Sequence, residues 1–125
     1  NSLHDADITL SFGSDYPATG AGTLGMSPLF NIEIGHTRQN AGEKDGPIQP
    51  NINERLDLAS LVHGYTMGGA KQLGMENSIG SITVGKKADM VVLDKNLFES
   101  EIHSIHQIKV LQTYLGGTII YQASK

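Results

Sequence analysis

The sequence predicts an α+β chain, helical up to about Glu76 and stranded beyond it. Three observations carry that prediction. Residues 57–74 place Leu58, Leu61, Val62 and Tyr65 on one helical face behind Asp57, a residue suited to cap a helix N-terminus. Residues 79–94 then change character: Ser81–Val84 is fenced by Gly80 and Gly85, and Met90–Leu93 is a four-residue apolar run closed by Asp94. Near the end, Gly116-Gly117 separates two strand-like runs, 108–115 and 118–121, with the spacing and chemistry of a two-residue hairpin.

The remaining elements follow in chain order. Leu3–Ala6 reads as a helical opening, and Asp7 links it to Ile8–Phe12, where apolar and polar residues alternate as in a short strand. Residues 13–26 are rich in Gly, Ala, Thr and Ser and show no periodicity. Ser27-Pro28 supplies an N-cap and a proline at the first helical position, predicting a helix through about Thr37. Residues 40–53, with Gly42, Gly46, Pro47 and Pro50, form a polar connection of a length that is usually functional or mobile. The helix begun at Asp57 is expected to stop before Thr66, which caps a second one ending at Gly74. Met90–Leu93 is expected to be a buried strand, and residues 95–107 a connection between strands.

A chain of 125 residues, 38% hydrophobic and 18% charged, suits one globular core. Its net charge of −4 offers no basic field for nucleic acid, and Lys86-Lys87 is too short to make one. No apolar run approaches the ~20 residues needed to cross a bilayer, so no membrane is expected as a partner, and no segment reads as a signal peptide. With no cysteine there are no disulfides and no thiolate ligands. That leaves cytosol and periplasm open, the cytoplasm being the favoured expectation.

Several residues could carry chemistry. Asp15 stands just beyond the 8–12 strand, behind Gly13 and Ser14, where it either presents a working carboxylate or caps the turn before Tyr16-Pro17. Tyr16 and Arg38 are candidates for substrate contact; equally, the tyrosine can pack beside a strand end and the arginine can favour a helix C-terminus. The five histidines do not form a metal set. His4, His36 and His63 are scattered along predicted helices, and His103-x-x-His106 lies near Glu99 and Glu101 in what reads as a solvated surface. Gly20-Ala21-Gly22-Thr23-Leu24-Gly25 matches a dinucleotide fingerprint by letter, yet Asp15-Tyr16-Pro17-Ala18-Thr19 intervene where the true motif begins directly at the strand end, and the next helix has its own start at Ser27-Pro28.

One set of matches runs the length of the chain: Gly13-Ser14-Asp15-Tyr16-Pro17, Ser27-Pro28-Leu29, Thr37-Arg38, Glu54-Arg55-Leu56, Tyr65-Thr66, Gly69-Ala70, Leu73-Gly74, Gly80 through Asp94 and Gly116-Gly117. Through these residues the chain resembles the C-terminal part of the amidohydrolase superfamily's family 3, a group that includes N-substituted formamide deformylase. The resemblance implies that residues 1–75 are the C-terminal piece of a metal-dependent hydrolase (β/α)8 barrel, its eighth strand and following helices. It further implies that residues 76–125 are the C-terminal strands of a small β-sandwich built from both chain ends. A closed barrel takes ~250 residues, so the chain is expected to be a fragment and inactive by itself.

The same resemblance puts on Asp15 the roles of metal ligand and proton acceptor from the attacking water. The reaction implied is hydrolysis of an amide or other non-peptide C–N bond in a small molecule, with a divalent metal, zinc, held mostly by ligands upstream and none expected on this stretch alone. Arg38 matches a position that is usually arginine in the group, and Tyr16 would line the pocket. Asp7 stands where glycine is usual, which implies positive φ there. Exposed barrel faces imply self-association as a homo-oligomer. The alternative is an autonomous interaction or assembly module of the same ancestry without catalysis.

Overall fold

The computed structural model describes residues 1–17 and 20–124, and it has the predicted α+β character. Helix α1 (Ser2–Asp5) leads into a turn in which Asp7 takes φ 58°, the left-handed value implied for that position. Helix α2 (Pro28–Thr37) starts where Ser27-Pro28 predicts. There the first intrahelical bond comes from the Ser27 carbonyl, which accepts from Asn31 N at 3.2 Å, while the serine side chain makes no capping bond. Arg38 closes α2 in the left-handed region, φ 60°.

Helix α3 (Leu58–His63) is capped by Asp57, whose Oδ1 accepts from Ser60 N at 2.8 Å. The expected break before Thr66 does not occur. The backbone stays helical through a π turn (Gly64–Gly68) into α4 (Gly69–Gln72). The Thr66 hydroxyl donates back to the Val62 carbonyl at 2.8 Å, so it serves a running helix instead of starting a new one. Gly74, at φ 66°, ends it as predicted.

Two expected strands are also absent. Ile8–Phe12 and Ser81–Val84 have no ladder partner among the described residues, and alternation without a neighbour to accept and donate backbone hydrogen bonds does not make a strand. Gly80 and Gly85 do take φ +90° and +93°, but Ile82 is 85% exposed and Val84 fully so.

Strands β1 (Met90–Leu93), β2 (Val110–Leu115) and β3 (Thr118–Gln122) form one antiparallel sheet in that order. Met90 pairs with Tyr114 and Leu115 with Thr118. The hairpin is as predicted, with φ 57° and 83° at Gly116 and Gly117, the two positive values that a two-residue turn of this hand requires. Asp89 Oδ1 and the Ala88 carbonyl hold it from below, accepting from Gly116 N at 2.6 Å and Gly117 N at 2.9 Å. β1 is not the buried strand expected: it is an edge, no second layer covers it among the described residues, and Val91 and Val92 stay exposed.

The core consists of Ile32, Leu56, Leu61, Leu97, Ile105 and Ile108, flanked by Leu10, Phe12, Leu29, Leu58, Val62, Tyr65 and Leu93. Two short 3-10 turns, Leu97–Glu99 and Ile102–Gln107, bring Leu97 and the fully buried Ile105 into it. Residues 95–107 are thus a packed element, and the core draws on both sides of Glu76.

Candidate functional site

Asp15 is presented by a segment that rests on a helix. The Leu10 carbonyl sits over Gly68 and the Phe12 ring over Gly64. That ring also meets Tyr65 at a centroid distance of 5.5 Å, tilted by 40°. Beside them Ser11 Oγ donates to Gln72 Oε1 at 2.7 Å. Burial pushes the Tyr65 hydroxyl above its ordinary pKa, with an Asn31 hydrogen bond opposing the shift.

After Gly13 and Ser14 the chain turns sharply. Asp15 takes φ 48° and is exposed, and its carboxylate has no hydrogen-bond partner among the described residues. A non-glycine residue in the left-handed region costs on the order of 1 kcal/mol, and among the described residues no bond from the Asp15 side chain offsets it. Among the described residues no backbone N–H is capped by the Asp15 side chain, and the carboxylate is exposed at the tip of the segment. Tyr16 follows, half exposed, with its N–H donating to Ser14 Oγ at 3.3 Å.

Arg38 lies elsewhere. Its Nη2 donates to the Pro50 carbonyl at 2.6 Å, and its own carbonyl accepts from Gln49 N at 2.7 Å. Nε is buried without a partner among the described residues. Among those residues no hydrogen bond joins Arg38 to Asp15 or Tyr16; the arginine ties the end of α2 to the loop at 49–50.

The histidine pair expected on a solvated surface is instead docked against α2. Glu33 is completely buried, and its Oε2 accepts from His106 N at 2.8 Å and His106 Nδ1 at 2.7 Å while Oε1 accepts from Gly42 N at 2.6 Å. His103 Nε2 stands 3.2 Å from Gln39 Oε1. The amide nitrogen of that glutamine donates to the carbonyls of Glu43, Lys44 and Gly46. Burying a carboxylate is costly unless several donors replace its water, and this cluster supplies three. Pairs 73 residues apart leave no local sequence pattern. The available signal was Glu33 itself, the one acidic residue in Pro28–Thr37.

Beside the cluster an open cavity of about 430 Å³ runs between His36, Gln39, Arg55, Asp57, Ile102 and His103. Its polar groups are largely engaged: His36 Nδ1 bonds the Leu56 carbonyl at 2.7 Å and Arg55 Nε the Thr37 carbonyl at 2.9 Å. Among the described residues no three His, Asp or Glu side chains gather as a metal site. Asp15 is exposed and belongs to no such group among the described residues.

The family model that matches this chain, over residues 1–121, is that of the amidohydrolase family. The chain is 27% identical over 121 residues to N-substituted formamide deformylase of Arthrobacter pascens, which covers 97% of this chain and 21% of that protein. It is 38% identical over 121 residues to imidazolonepropionase of Bdellovibrio bacteriovorus, covering 97% of this chain and 24% of that one. Among solved structures, an amidohydrolase from Thermotoga maritima MSB8 shares the fold with a TM-score of 0.67 at 20% identity, over 97% of this chain and 25% of its own. The chain thus spans a quarter or less of the length of these relatives.

Proposed function

The chain belongs to the amidohydrolase family, and from that premise we propose that it forms part of a metal-dependent hydrolase acting on an amide or other non-peptide C–N bond of a small molecule. In this reading residues 1–75 complete a (β/α)8 barrel and residues 76–125 complete a small β-sandwich. The other metal ligands lie outside these 125 residues.

The observation that carries the reading is the Asp15 carboxylate, exposed, unpartnered among the described residues and held at φ 48°. A zinc ion, with Asp15 as one of its ligands, would supply the Lewis acidity that lowers the pKa of water. Asp15 supplies one ligand oxygen and collects the proton released as water attacks. It then returns that proton to the departing nitrogen, so that amide and water give acid and amine. Tyr16, adjacent and half exposed, borders the substrate. Arg38, the other candidate for substrate contact, is engaged with the 49–50 loop.

The test is Asp15→Asn in the intact protein, assayed by amine release from N-substituted formamides and simple amides. The expected result is a fall in kcat of about 10²–10⁴ with the protein still folded. An Asn variant working at the unsubstituted rate overturns the reading.

A second reading, an interaction or assembly module without catalysis, draws on the bare side chains of Ile82 and Val84 and on the open edge of β1. Light scattering on the purified protein separates the two. A concentration-dependent oligomer lost on Val84→Lys, with no hydrolysis of any amide, favours the module.

A further inference from the structure

Glycine is the poorest helix former after proline, yet the continuous helix from Leu58 to Gln72 holds Gly64, Gly68 and Gly69. Two of them have a steric reason to be there. A Cβ added at Gly68 would strike the Leu10 carbonyl oxygen, and one added at Gly64 would strike the edge of the Phe12 ring. Both contacts fall well inside the 3.0 Å that real Cβ atoms keep. At Gly69 a Cβ would meet nothing within 4 Å.

Gly64 and Gly68 are both buried and four residues apart, so they share a helical face, and that face is covered by Leu10 and Phe12. The obstacle at Gly68 is backbone, which cannot swing aside as a long side chain can. Any side chain there would lift the segment off the helix by about 1 Å, the scale of misplacement that costs an enzyme roughly 10²-fold in rate. Asp15 lies only three residues past Phe12.

We propose that Gly64 and Gly68 are positioning residues for Asp15: they let residues 10–12 lie directly on the helix and so set where the carboxylate is presented. The proposal rests on the reading of Asp15 as proton acceptor. Neither glycine touches substrate.

The test compares variants of the intact protein in amide hydrolysis across pH. Gly68→Ala is expected to lose about 10²-fold in kcat with KM nearly unchanged and the pH profile displaced, while its circular dichroism stays native. Gly69→Ala, on the same helix with open space around it, should keep the unsubstituted kcat. A Gly68→Ala enzyme with unchanged kcat and pH profile overturns the proposal, as does an equal loss in Gly69→Ala.

Should Gly68→Ala fail to fold, Gly64→Ala serves instead. Its kcat is expected to fall and to recover by at least about tenfold when Phe12→Leu vacates the space, since proper placement and not the glycine itself is what matters. No recovery overturns the proposal. Asp15→Asn keeps the two questions apart. Full activity there removes the reading of Asp15, whereas an inactive Asp15→Asn beside a fully active Gly68→Ala rejects the positioning role alone.

Discussion

Asp15 and Glu33 are two carboxylates treated in opposite ways by the same chain. Glu33 is fully buried and accepts from two backbone N–H groups and one imidazole, joining α2 to the 3-10 turn at 102–107 across 73 residues. Asp15 is exposed, makes no such bonds among the described residues, and sits in a backbone region that disfavours it. A buried acid with all its donors in place holds structure together. An exposed acid under strain contributes little to stability and remains free for chemistry.

The most forceful way to break this contrast is Glu33→Ala. It leaves Gly42 N, His106 N and His106 Nδ1 without their acceptor, and each buried donor left unsatisfied costs about 1–3 kcal/mol. Urea unfolding measures it, and a loss under 1 kcal/mol would mean that water reaches the cluster.

Asp57 stands between the two extremes, exposed yet fully used as a cap. Asp57→Ala is expected to cost about 1 kcal/mol. The Ser60 backbone N–H, and after it the Ser60 hydroxyl, hold the Asp57 carboxyl below its ordinary 3.8. A lowered folded-state pKa gives stability that is complete above the unfolded value and fades as pH falls through the folded one. The wild-type and Asp57→Asn unfolding curves should therefore converge only below about pH 4, as followed by circular dichroism.

Asp15→Gly is the mildest change to the fold and the sharpest test of the contrast. Glycine accepts φ 48° without penalty, so stability should hold or rise by up to about 1 kcal/mol, while amide hydrolysis disappears. A clear loss of thermal stability would show that the Asp15 carboxylate has structural work after all.

Much of the local structure was legible in the sequence. Ser27-Pro28 marked the start of α2, Asp57 its own cap, Gly74 the end of the helix and Gly116-Gly117 the hairpin. The site was legible only as a position. Asp15 was singled out together with Tyr16 and Arg38, yet the structure leaves Arg38 bonded to Pro50. The docking of His103 and His106 had no local signal beyond the lone acid Glu33 on α2, because each depends on a partner on α2 or just beyond it.

The sequence by itself determined the turns, caps and helix ends, since these depend on the dihedral preferences and short-range hydrogen bonds of a few adjacent residues. Tertiary structure alone decided which alternating segments became strands, whether the helix ran on past Thr66, and which acid was buried. Each of those outcomes requires a distant group to accept a hydrogen bond, exclude water or leave room for a carbonyl. A backbone oxygen resting on Gly68 is such a group, and it is invisible until the chain has folded.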